Sequence, residues 1–248
     1  MRDVRRLGRV WGLVAGQAAG RGGRVSAADV CAAVVPGVQV TGAWLSAAPD
    51  GQAGHLVQVT DEVSGRLAEL QLTLGEGPVL DASASGGPVL ASDLADGESG
   101  ARWPAFGPAA CAAGAAAVFV FPLVVGAIRA GVLGLYRDRP GALSDFQLGD
   151  ALTFADTATV LLLDAQDRAG SGGGPGGQPA GLASYRAEVD QATGMLTEQL
   201  GVSITDAFVR LRAYAYANDL QLADVARDIV ARRLRLFPDP DLSQGDQA

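Results

Sequence analysis

The chain has 248 residues, 48% hydrophobic and only 19% charged, enough to bury a sizeable core, and its formal charge of −8 argues against a protein that coats nucleic acid generally. All 19 of its Lys/Arg residues are arginine; with no lysine ammonium, a phosphate-binding P-loop, a protein-kinase site and a Schiff-base enzyme are excluded. Cys31, Cys111 and His55 stand alone, which gives no zinc or Cys–His catalytic spacing and fits a reducing cytoplasm.

In chain order, residues 1–26 open with Arg2, Arg5, Arg6 and Arg9 and a short apolar run broken at Gly16-Gln17. This predicts a basic arm or a helix rather than a secretion signal. No stretch of ~18 apolar residues is present to span a membrane. Helix and strand patterns then alternate. The spacing predicts a helix over 27–35 ended by Pro36-Gly37, then a strand over 38–45. Its hairpin partner is expected over 56–60, across the turn Ala48-Pro49-Asp50-Gly51. A helix over 61–72 points Val63, Leu67, Leu70 and Leu74 inward. The turn Gly75-Glu76-Gly77-Pro78 opens a short helix to 85, and a strand follows over 89–92. A helix is expected over 103–113, an apolar strand over 115–125, and its antiparallel mate over 127–136 across a tight turn at Gly126. A long helix over 145–167 closes the domain. Gly75-x-Gly77 lacks the strand-then-helix setting of a dinucleotide site and reads as a turn. Asp93, Asp96 and Glu98 lack the twelve-position order of a calcium loop and read as a solvated loop, so no metal is expected.

Strands in hairpins with helices on either side predict an α+β domain over 27–167. The blocks Leu74-Gly75-Glu76-Gly77-Pro78, Pro88-Val89-Leu90, Trp103-Pro104, 118–123 and 131–136 resemble a GAF domain in order. That resemblance implies a sensor of an unidentified small molecule, with no cofactor identified. The closing helix is apolar all round at 160–163, so one sheet face cannot cover it, and a homodimer is expected to bury the remainder. Residues 168–183 are expected to be a linker. Seven of the 13 residues over 169–181 are Gly, and such a tether spans roughly 20 Å r.m.s.. It suits semi-independent domains better than a rigid signalling helix.

Residues 184–237 read as three helices. In the first, Leu182, Tyr185, Val189, Ala192 and Leu196 step by 3, 4, 3 and 4, a heptad-like stripe. The second starts at Ser203 with Asp206 as its acidic partner and stops near Asn218; the third lines up Leu222, Val225, Ala226, Ile229 and Val230. Off the core faces lie Gln191, Gly194 and Glu198 on the first helix, Arg210, Arg212 and Tyr216 on the second, and Arg227 and Arg235 on the third. On its own this pattern also fits a solvated face with pairs such as Asp228–Arg232. The charge is uneven: 1–183 hold 12 Arg and 17 acids, 184–237 seven of each, and the acidic tail 238–248 three acids and no Arg.

The pieces Gln191-Ala192-Thr193-Gly194, Gly201-Val202, Ala207-Phe208, Leu211-Arg212 and Asp224-Val225-Ala226 resemble the ANTAR domain, an RNA-binding module of bacterial antitermination regulators. With the GAF resemblance, this is similar to actinobacterial GAF and ANTAR domain-containing regulators. The resemblance implies an antiterminator, not an enzyme, that binds stem-loops in nascent transcripts. The RNA-facing residues would be Gln191, Gly194, Arg210, Arg212, Tyr216, Arg227 and Arg235, since loop bases can stack on Tyr and offer edges to Gln or Arg. Thr193 stands where the family often carries Lys, so Thr193→Lys is expected to tighten binding provided its side chain reaches the surface from the edge of the first stripe. The competing readings are a redox enzyme using Cys111, a DNA-binding regulator, and a protein-interaction adaptor that binds no RNA.

Overall fold

The computed structural model describes residues 4–47, 55–170, 180–218 and 220–237, with the side chains of 55, 166, 169–170 and 180–186 outside that description. The chain divides into two compact units, 1–182 and 183–248.

The first unit is organised by a five-stranded sheet, every neighbouring pair antiparallel, in the order β2-β1-β5-β4-β3. The strands are β1 (Gly42–Ala47), β2 (His55–Val59), β3 (Val89–Ala91), β4 (Ala117–Val125) and β5 (Ile128–Arg137). Alternate residues face opposite layers. Ala43, Leu45, Phe119, Phe121, Leu133 and Leu135 join a cluster with Val10, Val34 and Phe154, from α1 (Val4–Arg21), α2 (Ala27–Val38) and α7 (Asp145–Gly170). Trp44, Val118, Val120, Val132 and Tyr136 face the other way. They meet Leu67, Ala82 and Phe106, from α3 (Glu62–Leu74), α4 (Pro78–Ser85) and α6 (Phe106–Ala112). Covered on both faces, β4 reads as an unbroken apolar run, as a doubly buried strand should. This is the helix-flanked antiparallel sheet expected from the resemblance to GAF domains.

Two glycines in β5 let it lie close against β1. A Cβ on Gly134 would lie 2.1 Å from the indole, and one on Gly131 (φ 152°) 1.9 Å from the Ser46 carbonyl oxygen. The turn at Gly75-Glu76-Gly77 forms as expected between α3 and α4, and Glu76 Oε1 accepts the N–H groups of Ala105 and Phe106, both at 2.7 Å, at the start of α6.

Several boundaries differ from the sequence expectation. The helix 27–35 does not stop before Pro36: α2 runs to Val38 and closes on Gln39 in a left-handed conformation (φ 58°). Pro36 sits in the last turn, where it forfeits the bond an N–H there would give the Ala32 carbonyl, and fully buried Val38 holds that turn down against the loss. The strand expected over 38–45 therefore begins only at Gly42. The helix expected over 103–113 starts at Phe106, because Trp103 precedes Pro104 and is driven out of helical backbone (ψ 72°). A short helix, α5 (Gly97–Arg102), precedes it where a solvated loop was expected, its start capped by Asp96 accepting from the Ser99 N–H at 2.6 Å.

Residues 4–21 are a helix and part of the packed layer. Val10 and Val14 are fully buried, and Asp150 on α7, 1% exposed, accepts from Arg6 at 3.1 Å and Arg9 at 2.5 Å. At the other end, α7 reaches Gly170 and the next helix starts at Ala180, so helix enters both margins of the expected linker; 171–179 lie outside the described residues.

The second unit holds α8 (Ala180–Leu200), α9 (Ile204–Ala217) and α10 (Leu222–Val230). Val189, Ala192 and Leu196 on α8, Ala207, Leu211 and Ala215 on α9, and Leu222, Val225, Ala226 and Ile229 on α10 are buried; Val230, expected on the third stripe, is half-buried. Leu182 and Tyr185, the start of the first stripe, lie outside the described side chains. Ser203 caps α9, its Oγ accepting the Asp206 N–H at 3.1 Å, and Asn218 ends it by donating Nδ2 to the Tyr214 carbonyl at 2.8 Å. Among the described residues no helix is long and apolar enough to cross a membrane.

Candidate nucleic-acid interface

The outer side of α9 carries the most distinctive surface of the second unit. Val209, Ala213 and Tyr216 follow one another at intervals of four and three, and Leu220 continues the line just past the helix end. All are exposed, Val209 by 52% and Tyr216 by 63%. Within α9 no acid interrupts this line, because the helix's one carboxylate, Asp206, is at the capped end and accepts from the Ser203 hydroxyl at 2.7 Å. Arg210 and Arg212 flank the stripe. A cation-bordered row of aliphatic and aromatic side chains offers flat apolar surface with positive charge at its margin, the chemistry on which unstacked bases lie.

The two arginines differ. Arg210 is half-buried and makes no ion pair among the described residues. Arg212 is half-buried with its guanidinium 5.8 Å from the Phe208 ring, and burial pushes its pKa below the usual arginine value. It stays a cation at neutral pH. Its stem packs against the bundle, so it is less free to follow a ligand than the sequence suggested.

Arg227, expected to reach for phosphate, pairs with Asp224 at 2.7 Å and Glu188 at 3.4 Å. The first partner lies three residues back on the same helix and the second comes from α8, so this side chain ties two helices together and its charge is already matched. Arg233 donates twice to Asp228, at 2.9 and 2.5 Å. The sequence paired Asp228 with Arg232 instead. That partner is lost because Arg232 turns left-handed (φ 58°) as the chain leaves α10. Arg232 and Arg235 are exposed and make no ion pair among the described residues.

On α8, Gln191 and Gly194 are exposed, and a Cβ on Gly194 would meet nothing within 4 Å. They share an open face, as expected. Thr193 does not reach it: the residue is 5% exposed and its hydroxyl donates to the Val189 carbonyl at 2.7 Å. A lysine there would start from inside the bundle, which removes the basis for expecting Thr193→Lys to tighten binding. Sequence reading missed the continuity of the α9 line through Ala213 and Leu220. The interval of eleven residues from Val209 to Leu220 was the available signal.

In the first unit the chemistry is quieter. Partial burial and then the Asp93 charge push the exposed Cys111 thiol above its usual value, and burial pushes Cys31 up to about 12. Neither is held as a thiolate at neutral pH. Among the described residues no three His, Cys, Asp or Glu side chains converge as metal ligands.

The segment 183–230 matches the ANTAR domain family. The chain also resembles solved GAF domains. The one from an Acinetobacter phosphoenolpyruvate-protein phosphotransferase is 14% identical, covering 67% of this chain and 96% of that one, with a TM-score of 0.48. Its counterpart from Coxiella burnetii is 12% identical over the same shares, with a TM-score of 0.47. The GAF-B domain of DevS from Mycobacterium smegmatis is 18% identical over 57% of this chain and 93% of its own, with a TM-score of 0.41. No curated protein matches this chain.

Proposed function

We propose that this chain is a signal-responsive, RNA-binding transcription antiterminator. The ANTAR domain would take stem-loops in nascent transcripts, and the GAF-like unit would respond to a small molecule. The ANTAR match over 183–230 carries this reading, and the α9 surface supports it. Loop bases would stack along Val209, Ala213 and Tyr216, while Arg210 and Arg235 take phosphates and Gln191 reads a base edge. Arg212 contributes charge from its fixed place beside Phe208, and Arg227 serves mainly to join α8 to α10. A regulator of this kind works in the cytoplasm and as a homodimer, with no chemistry of its own. The raised Cys111 thiol supports the non-enzymatic part, since a redox site needs a thiolate.

Binding of RNA stem-loops by single variants tests the reading. Tyr216→Ala is expected to cost about 1–3 kcal/mol with little change in salt slope, as loss of a stacked base should. Arg235→Ala and Arg210→Ala are each expected to weaken all hairpins alike and flatten the log–log salt dependence by about one unit. Gln191→Ala should relax discrimination between loop sequences. Normal folding with unchanged hairpin binding in all four variants would remove the RNA face from this surface.

The exposed α9 line favours one other reading, a helix-docking surface for a protein partner. An adaptor of that kind would lose its partner on Val209→Asp and bind no hairpin at any salt concentration.

A further inference from the structure

The chain leaves α10 through a turn that strains its backbone. The Arg233 N–H donates to the Asp228 carbonyl at 2.8 Å and the Arg232 N–H to the Ile229 carbonyl at 2.9 Å, with Arg232 itself left-handed (φ 58°). Glycine is the residue this helix ending favours, and α3, α4 and α8 do turn left-handed on Gly75, Gly86 and Gly201. α2 uses Gln39 instead, and there the side chain is engaged, its Oε1 accepting from Gln147 at 3.2 Å. Arg232 bears the same strain with its guanidinium exposed and in no ion pair among the described residues. Strain kept at such a position points to a use for the side chain. Beyond it burial alternates: Leu234 is half-buried, Arg235 exposed, Leu236 buried and Phe237 80% exposed. That period of two brings Arg235 and Phe237 to the same outward side. Leu236 is pinned, its carbonyl accepting from Gln199 Nε2 of α8 at 2.5 Å. The run 231–237 carries three Arg and no acid, and of these Arg233 is matched by Asp228. A fixed stretch thus presents two cations and an exposed ring.

We propose that this exit segment is a further RNA contact, in which Phe237 stacks an unpaired base and Arg232 and Arg235 hold the phosphates beside it. The proposal rests on the RNA reading above and adds Arg232 and Phe237 to it. An exposed ring beside free guanidinium groups suits a base and its backbone together, since every base has a face to stack and every nucleotide a phosphate to pair. The strain at Arg232 is then kept for its charge, and glycine there stabilises the fold while weakening binding. With Tyr216 on α9, two rings on separate elements take bases, so a loop must present more than one unstacked base to use both.

The test titrates a synthetic RNA stem-loop into the full chain and into full-length variants, and melts each protein. Phe237→Ala should bind about fivefold or more weakly with the salt slope unchanged. Because the ring is exposed, its loss should leave the melting temperature where it is. Arg232→Gly should melt higher than the parent, yet weaken all hairpins alike and flatten the log–log salt dependence by about one unit. Arg232→Lys, which keeps the cation, should hold most of that slope. In a Phe237→Trp variant, emission compared with the parent's subtracts Trp11, Trp44 and Trp103, and RNA should quench the added indole. Parent-like affinity in both Phe237→Ala and Arg232→Gly, with Tyr216→Ala weakened, overturns this proposal and leaves the RNA reading standing. An early-melting Phe237→Ala makes the ring structural and overturns its stacking role. No stem-loop binding by the parent at any salt concentration removes the RNA reading and this proposal with it.

Discussion

Tyr136 shows how one side chain ties local chemistry to stability. Burial, with the Asp61 charge that its hydroxyl faces at 3.2 Å, pushes its pKa up to about 12. The folded state thus resists losing a proton that the unfolded chain gives up near 10. Its contribution is fully present below pH 10 and is lost as pH rises through about 12. Urea unfolding should therefore show the parent losing stability over that window, with Tyr136→Phe flatter across it; parallel profiles would contradict the assignment. Cys111 gives a second check. Raised by partial burial and by Asp93, it should alkylate more slowly than a free thiol at neutral pH, and Cys31 should not react until the protein unfolds. Rapid labelling of Cys111 at neutral pH would revive the redox reading. These details were not legible in the sequence, because each depends on a partner brought from elsewhere in the chain. Arg227 is the clearest case: its off-stripe position was legible, but its pairing with Glu188, 39 residues away, was not.

At the level of elements, periodicity revealed what packing enforces and misplaced what turn chemistry decides. The stripes of α8 and α10, the Ser203 cap and the β4–β5 hairpin were legible because apolar spacing and burial agree at their cores. The end of α2 was not, since Pro36 suggests a stop while buried Val38 argues for another turn, and packing won. Helix α5 was missed because its six residues are too few to show a period. Of the candidate site, the off-core positions of Gln191, Gly194 and Tyr216 were legible, and the inward turn of Thr193 was not. Gly134→Ala tests the closure over Trp44. A methyl group has no room 2.1 Å from a fully buried indole, so the variant should lose about 1–3 kcal/mol, read as a lower urea midpoint with the slope unchanged. Gln39→Gly acts in the opposite direction. A glycine relieves the left-handed backbone at the end of α2 and should raise the melting temperature, by about 0.5–1 kcal/mol of stability.

Across the whole molecule, an acidic chain carries its candidate RNA surface on residues 184–237, with seven Arg and seven acids, so affinity must come from local placement rather than net charge. Two consequences concern assembly. Val160 on α7 is 61% exposed among leucines that pack inward, and Phe146 and Leu152 on the same helix are also exposed. A homodimer covering this helix predicts a dimer by light scattering at tens of micromolar, and a clean monomer would contradict it. The Gly-rich run around 171–179 predicts that six added Gly/Ser residues leave ligand-dependent regulation intact, since such an insertion changes loop closure by well under ~1 kcal/mol. Loss of regulation would instead require rigid coupling. The central claim, recognition of stem-loops in nascent transcripts, is tested most directly by incubating the purified full chain with a pool of transcript leaders and sequencing what it retains. The account predicts enrichment of leaders that share paired stem-loops preceding a terminator, with the enrichment lost on Tyr216→Ala. A retained pool with the composition of the input, or one that Tyr216→Ala leaves unchanged, would contradict it.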